Sequence, residues 1–96
     1  LRKRNLDARS DIFSFGITMY ELFSGKHPCT GLDSKTIQKQ LISPAYKFEP
    51  PSKHNPEISR NLDKIILKAL RRGLDSRYQS MTEMLLDFSR ITQSRI

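Results

Sequence analysis

Three features of the 96-residue sequence predict an all-α fold. Valine is absent, and Leu, Ile and Met lie in windows that also carry Lys, Arg, Gln and Glu, a mixture that favours helices over strands. Residues 62–70 repeat their apolar positions at helical spacing on one side only. Ser, Gly and Pro stand where such helices would start and stop. A chain of this length is at most one small domain, here residues 1–96, and buries only about 60 to 65% of its unfolded surface.

The first helix is expected to start at Ser10 as its cap, with Asp11 in its first turn, and to stop at Gly25 in a left-handed conformation. Ile12, Phe13, Phe15, Ile17, Met19, Tyr20, Leu22 and Phe23 cover nearly every face between them, the pattern of a buried central helix. Surrounding it takes more neighbours than so short a chain supplies, so further polypeptide is expected against it. After a loop through Pro28 and Gly31, Ser34 caps a second helix carrying Ile37, Leu41 and Ile42, which Ser43-Pro44 ends. Residues 44–56 hold four prolines and read as an extended crossing anchored by Tyr46 and Phe48.

Ser59 caps the third helix, where Leu62, Ile65, Ile66, Ala69 and Leu70 form the apolar stripe and Lys64, Lys68, Arg71 and Arg72 point outward or to its end, with Gly73 as the stop. Ser80-Met81-Thr82-Glu83 is a capping box for the fourth, whose buried face is Met81, Met84, Leu85, Phe88 and Ile91. The architecture is thus one central buried helix plus three further helices.

Seventeen basic against ten acidic residues give a net charge of +7, compatible with nucleic acid, anionic lipid or acidic protein. The cations scatter, with modest concentrations at Arg2, Lys3 and Arg4 and from Lys64 to Arg72, and no recognition motif accompanies them, so no nucleic-acid partner is expected. A lone Cys29 suits a reducing compartment, and the cytoplasm is expected. The longest apolar run is broken by Ser14, Thr18 and Glu21, short of the roughly 18 residues of a membrane span, and LRKRNLDARSD lacks the apolar stretch of a signal peptide. His27, Cys29 and His54 have no paired metal-ligand spacing, and the glycines at 16, 25, 31 and 73 are too dispersed for a phosphate loop. No catalytic, cofactor-binding or metal-binding residue is therefore assigned.

Asp11-Ile12-Phe13-Ser14-Phe15-Gly16, followed by Tyr20 to Gly25 and His27-Pro28, resembles the central helix of a protein kinase large lobe. Leu62 to Leu70 followed by Asp75-Ser76-Arg77-Tyr78-Gln79-Ser80-Met81 resembles the penultimate helix, the structural-arginine loop and the final helix of the same lobe. Two motifs in the right order extend the likeness over essentially the whole chain, which is most similar to bacterial-type Ser/Thr kinases. The resemblance implies the C-terminal part of the large lobe.

It also implies a parent that transfers phosphate from ATP with Mg, although the Gly-rich cover, the Lys–Glu pair and the two aspartates of that chemistry are not among these residues. Ser14-Phe15-Gly16 has a serine where the metal-binding motif needs its aspartate. On the family's pattern Asp11, in a motif completed by Gly16, accepts hydrogen bonds from the catalytic loop, and Arg77 pairs with a glutamate upstream of Leu1. The plainer alternatives are that Asp11 only favours its own helix dipole, worth about 0.3 to 1 kcal/mol, and that Arg77 is a surface arginine.

The region from Lys26 to Ile42 resembles the part that kinases present to protein substrates or regulators. Lys26, His27, Lys35 and Lys39 are its candidate contacts, against the alternative of solvated side chains. Gly73-Leu74 replaces a common Asp-Pro, Cys29 an aromatic, and features shared with tyrosine-kinase-like members leave the acceptor residue open. A kinase-derived binding module, a pseudokinase remnant and a basic nucleic-acid binder are the rival readings. Without the upstream remainder of the domain, the Ile12–Phe23 helix would be exposed, self-association is expected, and Arg77 could turn into water.

Overall fold

A computed structural model of the chain describes residues 2–29, 31–43, 46–73 and 75–94, with side chains from 8 to 91. Helix α1 spans Arg2–Ser24, α2 Ser34–Ile42, α3 Arg60–Ala69 and α4 Met81–Ser94, with a 3₁₀ turn at Pro51–Lys53; no strand occurs among the described residues. The expected positions of Pro44 and Leu74, and the side chains of Arg2, Lys3 and Arg4, lie outside them.

Helix α3 is the hub: α1 and α4 both pack on it, and the 3₁₀ turn touches α1 and α3. Ile12, Met19, Tyr20, Ile65, Ile66, Ala69, Leu70, Tyr78 and Met84 form one buried cluster, with Phe13, Phe48 and Phe88 among the side chains packed around it. Extents of 44 × 39 × 19 Å describe a slab, thin enough for about two helix diameters of 10 Å each. The radius of gyration, 13.7 Å, exceeds the roughly 12.5 Å of a compact chain this long.

Local chemistry sets several boundaries as expected. The Ser59 hydroxyl accepts from the Leu62 N–H at 3.1 Å, the Ser80 hydroxyl accepts from the Glu83 N–H at 3.2 Å, and Gly25 closes α1 with φ +77°. Five expectations are corrected. Ser10 does not start α1, because good helix formers carry the helix back to Arg2. Asp33, not Ser34, caps α2, its carboxylate accepting from the Thr36 N–H at 2.8 Å.

Helix α3 ends at Ala69 rather than Gly73, whose carbonyl instead accepts from the Ser76 and Arg77 N–H groups in a turn. In α4, Met84 is fully buried, while Met81 and Leu85 face water at 37% and 57% exposure. Helix α1 is likewise buried on one side only. Ile12, Gly16, Met19 and Tyr20, at i, i+4, i+7 and i+8, face the core, whereas Phe15 and Leu22 are exposed. The α3 side covers one stripe of α1 and the described residues put nothing on the other, which answers the shortage of neighbours anticipated from the sequence.

Candidate functional site

Glycine at position 16 sets how closely α1 and α3 approach. A Cβ there would lie 3.0 Å from both Ala69 Cβ and Leu70 Cδ2, so a side chain would force the helices apart. This crossing holds the N-terminal half of α1 over the 71–79 turn, where Arg77 sits.

Arg77 is 8% exposed. Its Nε donates to the Arg71 carbonyl and its Nη1 to the Arg9 carbonyl, both at 2.8 Å, and its guanidinium carbon stands 4.8 Å from the Phe13 ring centre. The expectations of a surface arginine, or of one that turns into water, are therefore corrected: the carbonyls and the ring keep the guanidinium inside. It has no carboxylate partner among the described residues. Burial, and then the like charges of Arg9 and Arg72, lower its pKa from the ordinary arginine value. A guanidinium has five N–H donors, and two are accounted for here.

Beside it opens a cleft of about 490 Å³, walled by Phe13, Leu41 and Ile42 with the Ser10 and Ser14 side chains and two guanidinium groups, Arg72 and Arg77. Arg72 Nε is buried without a hydrogen-bond partner. Two cations, neither with a carboxylate partner among the described residues, make this a place that favours an anionic group.

Asp11 is exposed on α1 and has no hydrogen-bond partner among the described residues. Because the helix begins at Arg2, Asp11 lies beyond the first turn, where the dipole effect has faded, and the alternative of a first-turn acid is corrected. Five residues separate it from Gly16, or about 140° around the axis, so it faces away from α3. Phe15 and Leu22 are the exposed apolar residues of the same helix.

The docking candidates do not converge. Lys35 and Lys39 share one exposed face of α2, and Lys26 is exposed in the preceding loop. His27 is half-buried, and its Nδ1 accepts from the Cys29 N–H at 3.0 Å, which ties the loop together. Burial pushes the Cys29 thiol up, against the opposing charge of Arg72.

The sequence profile described as protein tyrosine and serine/threonine kinase matches residues 1–85. The chain belongs to that kinase family. It is 33% identical over 96 residues to the serine/threonine-protein kinase PknB of Mycolicibacterium smegmatis, covering 98% of this chain and 15% of the relative. It is 38% identical over 92 residues to the protein of the same name from Mycobacterium tuberculosis, covering 94% and 14%. A probable serine/threonine-protein kinase of Streptomyces coelicolor is 40% identical over 84 residues, covering 85% and 12%. The chain thus spans about one seventh of the length of these curated relatives. It is the helical, C-terminal part of a kinase large lobe, nearest the bacterial Ser/Thr type.

Within this kinase segment two side chains matter that sequence reasoning did not single out. Arg72, expected to point outward, turns inward and donates to the carbonyls of Gln40 (2.9 Å), Tyr46 (3.2 Å) and Ser43, while stacking 4.3 Å over Phe48. It satisfies carbonyls at the C-terminal end of α2 in addition to the local cap, the Ser43 N–H bonded to the Lys39 carbonyl. Asp63, buried in the first turn of α3, accepts from both the N–H and the hydroxyl of Ser52 and so fixes the 3₁₀ turn. Only an acid four residues after the Ser59 cap hinted at Asp63; nothing local distinguished Arg72 from its cationic neighbours.

Among the described residues, no three His, Cys, Asp or Glu side chains gather to hold a cation, and Gly16 serves the helix crossing and Gly25 the helix stop.

Proposed function

We propose that the protein containing this chain is an ATP- and Mg-dependent Ser/Thr protein kinase, with nucleotide and metal bound by polypeptide outside these residues. Here the chain acts as a support. The observation that carries this role is Arg77, a buried guanidinium with unassigned donors beside an anion-favouring cleft and no carboxylate partner among the described residues. A glutamate from the activation segment would supply the missing charge.

In the same reading the exposed face of α1 receives the upstream part of the domain: Asp11 accepts backbone N–H groups of the catalytic loop, and Phe15 and Leu22 pack against it, on a helix fixed by the Gly16 crossing. The chain by itself then associates through those apolar side chains. Helix α2, which buries no residue, forms a docking face for a protein substrate or regulator through Lys35 and Lys39, with Lys26 and His27 apart in the preceding loop; exposed Leu32 and Ile42 beside the lysines support this. No helix among the described residues is long and apolar enough to cross a membrane, and cytoplasmic action is part of the proposal.

Phosphorylation assays on the longer protein test the supporting role. Asp11→Asn is expected to lower kcat by up to about a hundredfold through misplacement of the catalytic loop, with KM for ATP nearly unchanged. Unaltered kcat for both Asp11→Asn and Arg77→Ala in folded protein would remove the support role.

A further inference from the structure

Helix α3 carries a ridge of cations. Arg60, Lys64 and Lys68 follow at i, i+4 and i+8, and Arg71 lies on the same side just past the last turn. A groove runs along each flank. Toward α4, Ile65 and Ile91 floor a space of about 270 Å³ whose lip holds Lys64 and Arg90. Toward the 46–48 segment, Phe48, Leu67 and Leu70 floor another of about 310 Å³ whose lip holds Lys47 and Arg71.

The acid lining these grooves is Asp87, which already accepts from the Tyr78 hydroxyl at 2.6 Å and from Arg90 at 3.3 Å. Lys68 is paired with Glu83, whereas Arg60 and Lys64 are exposed and form no ion pair among the described residues. The face therefore presents two apolar floors joined by uncompensated positive charge.

The α3 residues that line the two grooves, Asn61, Lys64 and Ile65 in the first and Leu67 in the second, are centred about four positions apart, or about 6 Å along the axis, and a helix is about 10 Å across. The diagonal from one groove to the other is about 12 Å, the reach of about four extended residues. We propose that this face binds an extended acidic segment of a partner protein, with one apolar side chain seated in each groove and the intervening Asp and Glu residues over Lys64 and Arg71. A nucleic acid fits less well. The ring on this face, Phe48, already has the Arg72 guanidinium stacked on it, and the remaining floor is aliphatic, so there is no free platform for bases. The proposal does not depend on the assignment of the kinase active site.

Fluorescence anisotropy with a labelled peptide, three Asp and Glu residues flanked by a leucine at each end, tests it on the 96-residue chain. Saturable binding is expected, about tenfold weaker for the Lys64→Glu/Arg71→Glu double variant and for a peptide with Asn and Gln in place of the acids. Lys53→Gln, on the 3₁₀ turn and lining neither groove, should change the affinity less than twofold. The altered peptide decides the matter even if the double variant fails to fold. Absence of saturation, equal binding of the amide peptide, equal weakening by Lys53→Gln, or tighter binding of a single-stranded oligonucleotide of the same charge would each overturn it.

Discussion

Helices α2 and α3 are of similar length, nine and ten residues, and each starts on a side-chain cap, yet α3 buries Asp63, Ile65, Ile66 and Ala69 while α2 buries nothing. A cap decides where a helix begins; the width of its apolar face and the number of elements laid against it decide whether it is held. Helix α3 lies between α1 and α4, with the 3₁₀ turn also against it. Helix α2 hangs instead on polar contacts, the three carbonyls gripped by Arg72 and the Gln40 side chain, which accepts from the Gly31 N–H at 3.1 Å. Such a region opens at lower free energy than the core. The contrast fits a support of fixed geometry joined to a compliant docking element.

The largest effect should come from breaking the α3 side at its closest approach. Gly16→Val places a branched side chain where even a Cβ meets Ala69 and Leu70 at 3.0 Å, and is expected to cost about 3 kcal/mol. Urea unfolding followed by circular dichroism measures it, with Gly16→Ala falling between the valine variant and the parent sequence. A valine variant as stable as the parent would mean that the crossing is not the constraint.

Next in size is Asp63→Ala, at about 2 kcal/mol, since it removes a charged acceptor from two donors of Ser52 in a buried setting. The same urea titration reads it. Ser52→Ala should cost less, because it deletes only the hydroxyl donor and leaves the N–H bond to the carboxylate in place.

Much of α3 was legible because its information is local. Ser59, the apolar stripe from Leu62 to Leu70 and the Ser80 start of α4 are each specified within a few neighbours, and the structure keeps all three. Gly16 could be suspected: a glycine amid large apolar side chains costs a helix about 1 kcal/mol and so hints at a close contact, but its partners lie more than fifty positions away. The inward turn of Arg72 was not legible. In the run Ala69-Leu70-Arg71-Arg72 nothing distinguishes one arginine from the other, and the carbonyls that bind Arg72 are 26 to 32 positions distant.

The burial of α4 failed for another reason. Met84 and Leu85 are adjacent, and periodicity alone does not say which lies nearer the centre of the apolar face; packing on α3 buries the first and exposes the second. The burial of Arg77 was not legible from composition, and only the structure shows the two carbonyls and the Phe13 ring that keep it inside.

The contrast with α2 sharpens through Arg72→Met, which retains an apolar stem over Phe48 and deletes the guanidinium. Global stability should fall by about 1 kcal/mol, while hydrogen exchange at the α2 amides quickens by about tenfold or more relative to those of α3. Equal acceleration in both helices would show that α2 is as firmly embedded as the hub.

The smallest effect belongs to pH. Tyr20 is buried in the core and its hydroxyl donates to the Glu49 carbonyl at 2.7 Å. Burial first, and then the Glu49 charge, push its pKa up to about 12 from an ordinary value of 10.0. The folded state holds the proton more tightly than the unfolded state. The resulting stabilisation is therefore complete below about pH 10 and is lost as the pH rises toward 12. Tyr78, bonded to Asp87 and also buried, shifts in the same direction. Tyr20→Phe should remove the hydrogen bond, worth about 1 kcal/mol at neutral pH, and flatten the alkaline decline, so that the two proteins converge in stability as the pH approaches 12. Urea midpoints measured across that range check the sign. Parallel curves would place the alkaline sensitivity on Tyr78 and the lysines instead.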